Sequence, residues 1–172
     1  MALVGNPNAG KSTLFNALTG LRQKTGNYAG VTVDRYDGTA TALVHGIAYT
    51  FDIVDLPGLY SLYPKSQDET IACRTLISAK ENIDVAVVVV DATNLKRNLL
   101  LATQVIDLKF RTVVVLNMID EAEKQGIRID LAGLEKTLGV PVVSVDSRRQ
   151  RGMEKLKTAI AGARVSDSVF FD

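Results

Sequence analysis

Apolar side chains open the chain at Met1, Ala2, Leu3 and Val4 and stop at Gly5. They return with helical spacing at Leu14, Phe15, Ala17 and Leu18, ahead of Gly20. A strand, a glycine-bounded loop and a helix are predicted in that order. Residues 39–44 and 48–54 alternate apolar and polar positions across His45-Gly46, which predicts a hairpin with a tight turn and the one antiparallel pair of the chain. Three continuous β-branched runs follow at 85–90, 113–116 and 140–145. Each precedes a stretch of helical length: 95–108, the turns up to Leu138, and 153–160. Uninterrupted apolar runs are what strands covered on both faces require. The pattern therefore predicts an α/β fold: a mostly parallel, six-stranded sheet with one antiparallel strand and helices on both faces. Residues 21–37 and 58–69 carry the least pattern and read as mobile loops. In such sheets ligands sit beyond the carboxyl ends of the strands, so residues with chemistry to perform should follow the strands directly.

Composition narrows the class. At 172 residues the chain fits one domain, and 47% hydrophobic against 23% charged residues excludes disorder. No apolar run approaches the roughly 20 residues that span a bilayer. Twenty Lys and Arg against 19 Asp and Glu leave a net charge of +1, without a global field to attract nucleic acid or an acidic membrane. One cysteine, Cys73, makes neither an internal disulfide nor a Cys-rich zinc site, and the N-terminus lacks a secretion signal. A reducing, cytosolic compartment is expected. His45, in the hairpin turn, and Cys73, in a predicted helix, read as structural residues. Asp68-Glu69 and Glu121-Ala122-Glu123 read as charged clusters on solvent faces, none of them resembling an iron site.

The residues after the first strand, Gly5, Asn6, Pro7, Asn8, Ala9, Gly10, Lys11 and Ser12, followed by Thr13, match G-x-x-x-x-G-K-[ST] between a strand and a helix. There the backbone N–H groups converge on phosphates at a helix N-terminus, Lys11 neutralises the β and γ oxygens, and the Ser12 hydroxyl can ligate Mg²⁺. Asp55-Leu56-Pro57-Gly58 ends the next strand. Asp55 can hold Mg²⁺ through water, and the Gly58 N–H can sense a γ-phosphate. Asn117-Met118-Ile119-Asp120 follows a later strand. The Asp120 carboxylate can accept the two donors on the guanine edge that adenine lacks, while Asn117 braces the phosphate loop and Met118 packs on the base plane. Together these motifs predict GTP binding.

The chain resembles small GTPase domains and, more narrowly, the N-terminal G domain of the ferrous iron transport protein B (FeoB) family, from the first residue to about Ile160. The residues that carry the likeness are GNPNAGKSTLFNALTG at 5–20, GNYAGVTVD at 26–34, DLPGLYSL at 55–62 and NMID at 117–120. The resemblance implies a Ras-like P-loop GTPase fold over 1–163, with 164–172 starting a C-terminal extension. Gly30, Val31 and Thr32 would form the first switch, Thr32 closing on Mg²⁺ with Ser12 and Asp55 when GTP is bound. In the related TrmE/Era-like GTPases an asparagine stands at the position of Asn8. The resemblance therefore implies a K⁺ ligand there, with switch carbonyls near Gly26 and Tyr28; the other reading is that Asn8 only ties the loop to its own backbone. Asn8, Lys11, Thr32 and Gly58 are the implied catalytic residues, with GTP/GDP, Mg²⁺ and K⁺ as cofactors.

The sequence differs from Ras-like proteins at Leu59 and departs from the family pattern in its last base-contacting loop. Leu59 occupies the position where Ras-like proteins carry a water-orienting glutamine, and leucine cannot orient water by hydrogen bonding, so slow turnover is expected. A third reading, of a domain that binds nucleotide without hydrolysing it, rests on Leu59 together with the atypical Asp146 loop described next. The last base-contacting loop normally reads Ser-Ala; here Asp146-Ser147, followed by Arg148, stands in its place, or Ser144-Val145 in a shifted register. An acid beside guanine O6 would repel it, so Asp146 is expected to cap its own loop's N–H groups. The basic run Arg148-Arg149-Gln150-Arg151 reads as a solvated loop. The resemblance implies a membrane permease domain in the same polypeptide, at the cytoplasmic face of the bacterial inner membrane, with a homo-oligomer possible in the whole protein and no nucleic-acid partner. The rival is a soluble Era/TrmE-like GTPase switch in RNA or ribosome maturation. The short start before Gly5 and the stop at Asp172, where helical material would begin, suggest a truncated chain or a member lacking the helical domain.

Overall fold

The computed structural model describes residues 1–20 and 23–171; Leu21 and Arg22, in the segment expected to be a loop, and Asp172, in the expected extension, lie outside them. Seven strands form one sheet: β1 (Ala2–Gly5), β2 (Gln23–Asn27), β3 (Asp34–Val44), β4 (Ile47–Asp55), β5 (Ala86–Asp91), β6 (Thr112–Asn117) and β7 (Val142–Ser144). Their order across the sheet is β2-β3-β4-β1-β5-β6-β7. Only β3 runs against the others, pairing antiparallel with both β2 and β4. The sheet thus has seven strands rather than six. The added strand, β2, lies in the stretch expected to be an unpatterned loop, and it brings a second antiparallel pairing. Its residues are exposed from Lys24 to Asn27, so no apolar alternation marks it, and β3 supplies the ladder that holds it.

The central strands bury both faces. Ala86, Val88 and Val90 of β5 enter one core, whereas Val87 and Val89 enter the other. Residues on β1 and β6 divide the same way: Val4, Val114 and Leu116 on the first side, Leu3, Val113 and Val115 on the second. This period of two explains why the runs look continuous in the sequence. Helices α1 (Lys11–Thr19) and α6 (Met153–Ala161) cover the second face through Leu14, Phe15, Leu18, Leu156 and Ile160. The first is covered by α2 (Gln67–Ser78), α3 (Leu95–Asp107) and α5 (Leu131–Leu138), with the short α4 (Ile119–Lys124) after β6. None of the described helices is long and apolar enough to cross a membrane.

β1 lies at the centre, paired in parallel with β4 on one side and β5 on the other. The chain thus crosses from one side of β1 to the other between β4 and β5, which opens a crevice at the carboxyl end of β1. Residues 166–171 contain no helical turn. They run against α3, where Asp107 accepts from the Phe170 N–H at 2.9 Å and the Phe171 N–H at 2.9 Å. Lys109 donates to the carbonyls of Ser166 and Ser168.

Candidate functional site

The loop from β1 to α1 wraps the crevice. Asn8 and Gly10 take positive φ, 65° and 89°, and Gly10, which precedes α1, offers no side chain to cap it. Its first-turn N–H groups therefore face outward without a side chain to receive them, the arrangement that binds anions. A Cβ at Gly10 would collide with the Asn117 side chain, so glycine there is required by space as well as by backbone conformation. Asn117 Nδ2 donates to the Ala9 carbonyl at 3.1 Å, so the end of β6 braces the loop. In the loop after β4, Gly58 packs against Pro7, and the Leu59 N–H donates to the Gly5 carbonyl at 3.0 Å.

Lys11 Nζ and Asp55 Oδ1 lie 2.5 Å apart, both buried. Burial pushes the Asp55 carboxyl up from its ordinary value, and the Lys11 charge and hydrogen bond pull it back. Any anion that engages Lys11 must compete with this pair.

Two adjoining cavities lie over the loop. One, of about 820 Å³, is lined by Asn6, Pro7, Asn8, Lys11, Ser12 and Gly58. The other, of about 410 Å³, is lined by Asn117, Met118, Asp120, Asp146, Ser147 and Arg149. Gly10, Thr13, Met118 and Arg148 border both, which joins them into one cleft. Asp146 Oδ1 accepts the Arg149 N–H at 3.1 Å, so the carboxylate caps its own loop.

Other sequence-predicted residues lie away from the cleft. Gly30, Val31 and Thr32 border neither cavity; Thr32 is exposed in the turn before β3, and Val31 packs on the first core. Gly26 pairs with Arg35 in the β2–β3 ladder. Tyr28 buries its ring in the first core, and its carbonyl accepts the Val31 N–H at 3.2 Å. Leu56 is fully buried, and Pro57 borders neither cavity. Leu59 is fully buried too, so its side chain faces the core rather than the cleft.

Tyr60, Lys65, Ser66, Asp68 and Glu69, none of them expected at the site, also border the larger cavity. Glu69 was expected on a solvent face; it is buried, and its carboxylate accepts the Lys65 N–H at 2.6 Å while Ser66 Oγ accepts the Glu69 N–H. Ser66-x-x-Glu69 is a capping-box pattern, and that signal was present in the sequence. Arg97 sits over the Tyr60 ring at 4.2 Å, and Gln104 Oε1 accepts the Leu62 N–H at 2.8 Å, so α3 holds the segment after Gly58.

A family model described as Ferrous iron transport protein B matches residues 1–160. The chain belongs to the ferrous iron transport protein B family. It is 48% identical over 173 residues to the Fe(2+) transporter FeoB of Salmonella typhimurium, covering 98% of this chain and 22% of that protein. The chain thus spans about a fifth of the curated relatives' length. The crystal structure of the G domain of the T. maritima FeoB iron transporter superposes with a TM-score of 0.83 at 41% identity, covering 94% of this chain and 95% of that one. The cytosolic domain of T. maritima FeoB in GMPPNP form gives 0.84 at 38% identity, over 99% of this chain and 66% of that one. The fold of this FeoB-family chain is accordingly that of a P-loop GTPase domain.

Proposed function

We propose that the chain is a guanine-nucleotide switch that binds GTP and GDP in the joined cleft and hydrolyses GTP slowly. The observation that carries the reading is the Asn117–Ala9 hydrogen bond, because it ties the base-reading end of β6 to the phosphate loop. The nucleotide's base would enter between Met118 and the Asp146 loop, with the Asp120 carboxylate accepting from its edge. Its phosphates would meet the first-turn N–H groups of α1, and Lys11 would leave Asp55 for them. The Gly58 N–H, next to Pro7, suits a γ-phosphate sensor.

For Mg²⁺ the donor set fits in part. Ser12 borders the cleft and the Asp55 carboxylate lies beside it on Lys11, both hard oxygen ligands. Thr32 would have to move in from the turn before β3. For K⁺, Asn8 lies in the cleft, whereas the Gly26 and Tyr28 region is held in the β2–β3 ladder and its turn. Both cations, when bound, would supply positive charge against that developing on the phosphates. Residues 26–33 would leave this ladder to complete the site, which is a switch in the order-to-order sense.

In the full polypeptide this domain would sit at the cytoplasmic face of the bacterial inner membrane, joined to a permease domain, with nucleotide state coupled to Fe²⁺ uptake. The test is GTP hydrolysis with Mg²⁺ in KCl against NaCl at equal ionic strength. A rate raised many-fold by K⁺ supports Asn8 as a cation ligand. Equal rates remove K⁺ from the proposal, and no hydrolysis in either salt removes the GTPase reading.

A further inference from the structure

The unusual Asp146 loop lies against the residue that reads the base. Asp146 and Arg151 exchange backbone hydrogen bonds at 3.1 and 3.0 Å, which closes residues 146–151 into a tight turn. Within it the Asp146 carboxylate holds Arg149 twice: Oδ1 takes the backbone N–H at 3.1 Å and Oδ2 faces the guanidinium at 3.4 Å. The same guanidinium nitrogen lies 3.8 Å from Asp120 Oδ2. The neighbouring cation Lys124 is paired instead with Glu121. Asp120, Glu121, Lys124, Asp146 and Arg149 all border the base-side cavity.

We propose that Arg149, held by Asp146, positions the Asp120 carboxylate for a guanine base and thereby sets the preference for guanine over a purine lacking the 2-amino group. The inference rests on the guanine-nucleotide reading above and deepens it. The Asp120 side chain is half exposed and would otherwise sample several rotamers. A carboxylate has room for about four hydrogen bonds, so one cation at Oδ2 leaves space for the two donors of the guanine edge. Fixing the acceptor before the base arrives removes an ordering cost from binding. The departure from Ser-Ala then has a purpose: Asp146 caps the loop and aims Arg149.

The experiment measures GDP and IDP binding by calorimetry for the wild-type chain, Arg149→Ala, Arg149→Lys, Asp146→Asn and the Asp146→Asn/Arg149→Ala double variant. Arg149 is exposed, so its truncation leaves the core intact. Arg149→Ala is expected to weaken GDP binding roughly threefold, the scale of an exposed ion pair, and IDP binding less, which narrows the GDP preference. Arg149→Lys recovers most of the loss, because the contact is a single point rather than a fork. High NaCl erases the difference between wild type and Arg149→Ala. Asp146→Asn acts in the same direction and adds nothing in the Arg149→Ala background. Equal GDP binding by wild type and Arg149→Ala, equal losses for GDP and IDP, or additive losses in the double variant would each overturn the inference alone. Failure of the wild-type chain to bind GDP overturns the guanine reading and the inference with it.

Discussion

Replacing Asn117 with alanine tests whether the phosphate loop is held by the fold or by its ligand. Asn117 ends β6, is almost fully buried, and donates to the carbonyl of Ala9, a residue 1% exposed. The truncation leaves that buried carbonyl without its donor, a loss of about 1–3 kcal/mol. Against a total stability of about 5–15 kcal/mol this is a large fraction. For a chain of this size each kcal/mol moves the melting temperature about 2–4 °C. A loss near 2 kcal/mol therefore predicts a fall of about 4–8 °C in protein without added nucleotide. Urea unfolding should show a lower midpoint at unchanged slope. The loosened loop should also weaken GDP, so the stabilisation that a fixed GDP concentration confers shrinks as well. Asn117→Asp keeps the size but sets an acceptor against an acceptor, so at neutral pH it should cost at least as much as alanine. Wild-type stability of Asn117→Ala without nucleotide, together with an intact GDP-dependent shift, would refute the bracing argument.

Substitutions at Tyr28, Leu59 and Gly58 have equally definite outcomes. The Tyr28 hydroxyl finds no hydrogen-bond partner among the described residues, and burial pushes its pKa to about 12 from 10.0, with Arg35 opposing and Asp37 and Asp55 adding to the rise. The native state therefore keeps a proton that the unfolded chain loses, so stability falls as pH rises from about 10 toward 12. Tyr28→Phe should match or exceed wild-type stability at pH 7 and show a shallower alkaline loss in a pH series of melting curves. Leu59→Ala empties a fully buried position, which predicts a loss of about 2–5 kcal/mol in urea unfolding. Wild-type stability with abolished hydrolysis would instead place that side chain in the chemistry. Gly58→Ala would put a Cβ 2.9 Å from Pro7, pressing β4's end off the phosphate loop. It should weaken binding of a non-hydrolysable GTP analogue several-fold more than GDP, and equal effects on both would count against the γ-phosphate role.

The motifs were legible because each is a short run whose backbone and side chains act together. Gly10-Lys11-Ser12 carries its own turn, Asp55 ends an alternating strand and Asn117 ends an apolar one. The β-branched runs at β5 and β6 likewise announced strands buried on both faces. β2 was not legible. Its exposed residues have no apolar period, and it is a strand only because β3 offers unpaired backbone groups. Glu69 was misplaced because acidic residues are usually solvated, and the capping box that buries it counts only once Ser66 starts a helix.

By itself, the sequence determined the strand–loop–helix chemistry of the phosphate site, the α/β class and the likeness to the family, since these depend on neighbours along the chain. The tertiary structure alone decided which distant residues meet. It paired Lys11 with Asp55, made the Ala9 carbonyl the acceptor of the expected Asn117 brace, turned Leu59 into the core and brought Arg149 to Asp120. It also holds Gly26 in a ladder and leaves Thr32 outside the cleft. The Lys11–Asp55, Asn117–Ala9 and Arg149–Asp120 contacts join residues far apart in the chain, and they exist only when the order of strands brings the strand ends to one edge of the sheet.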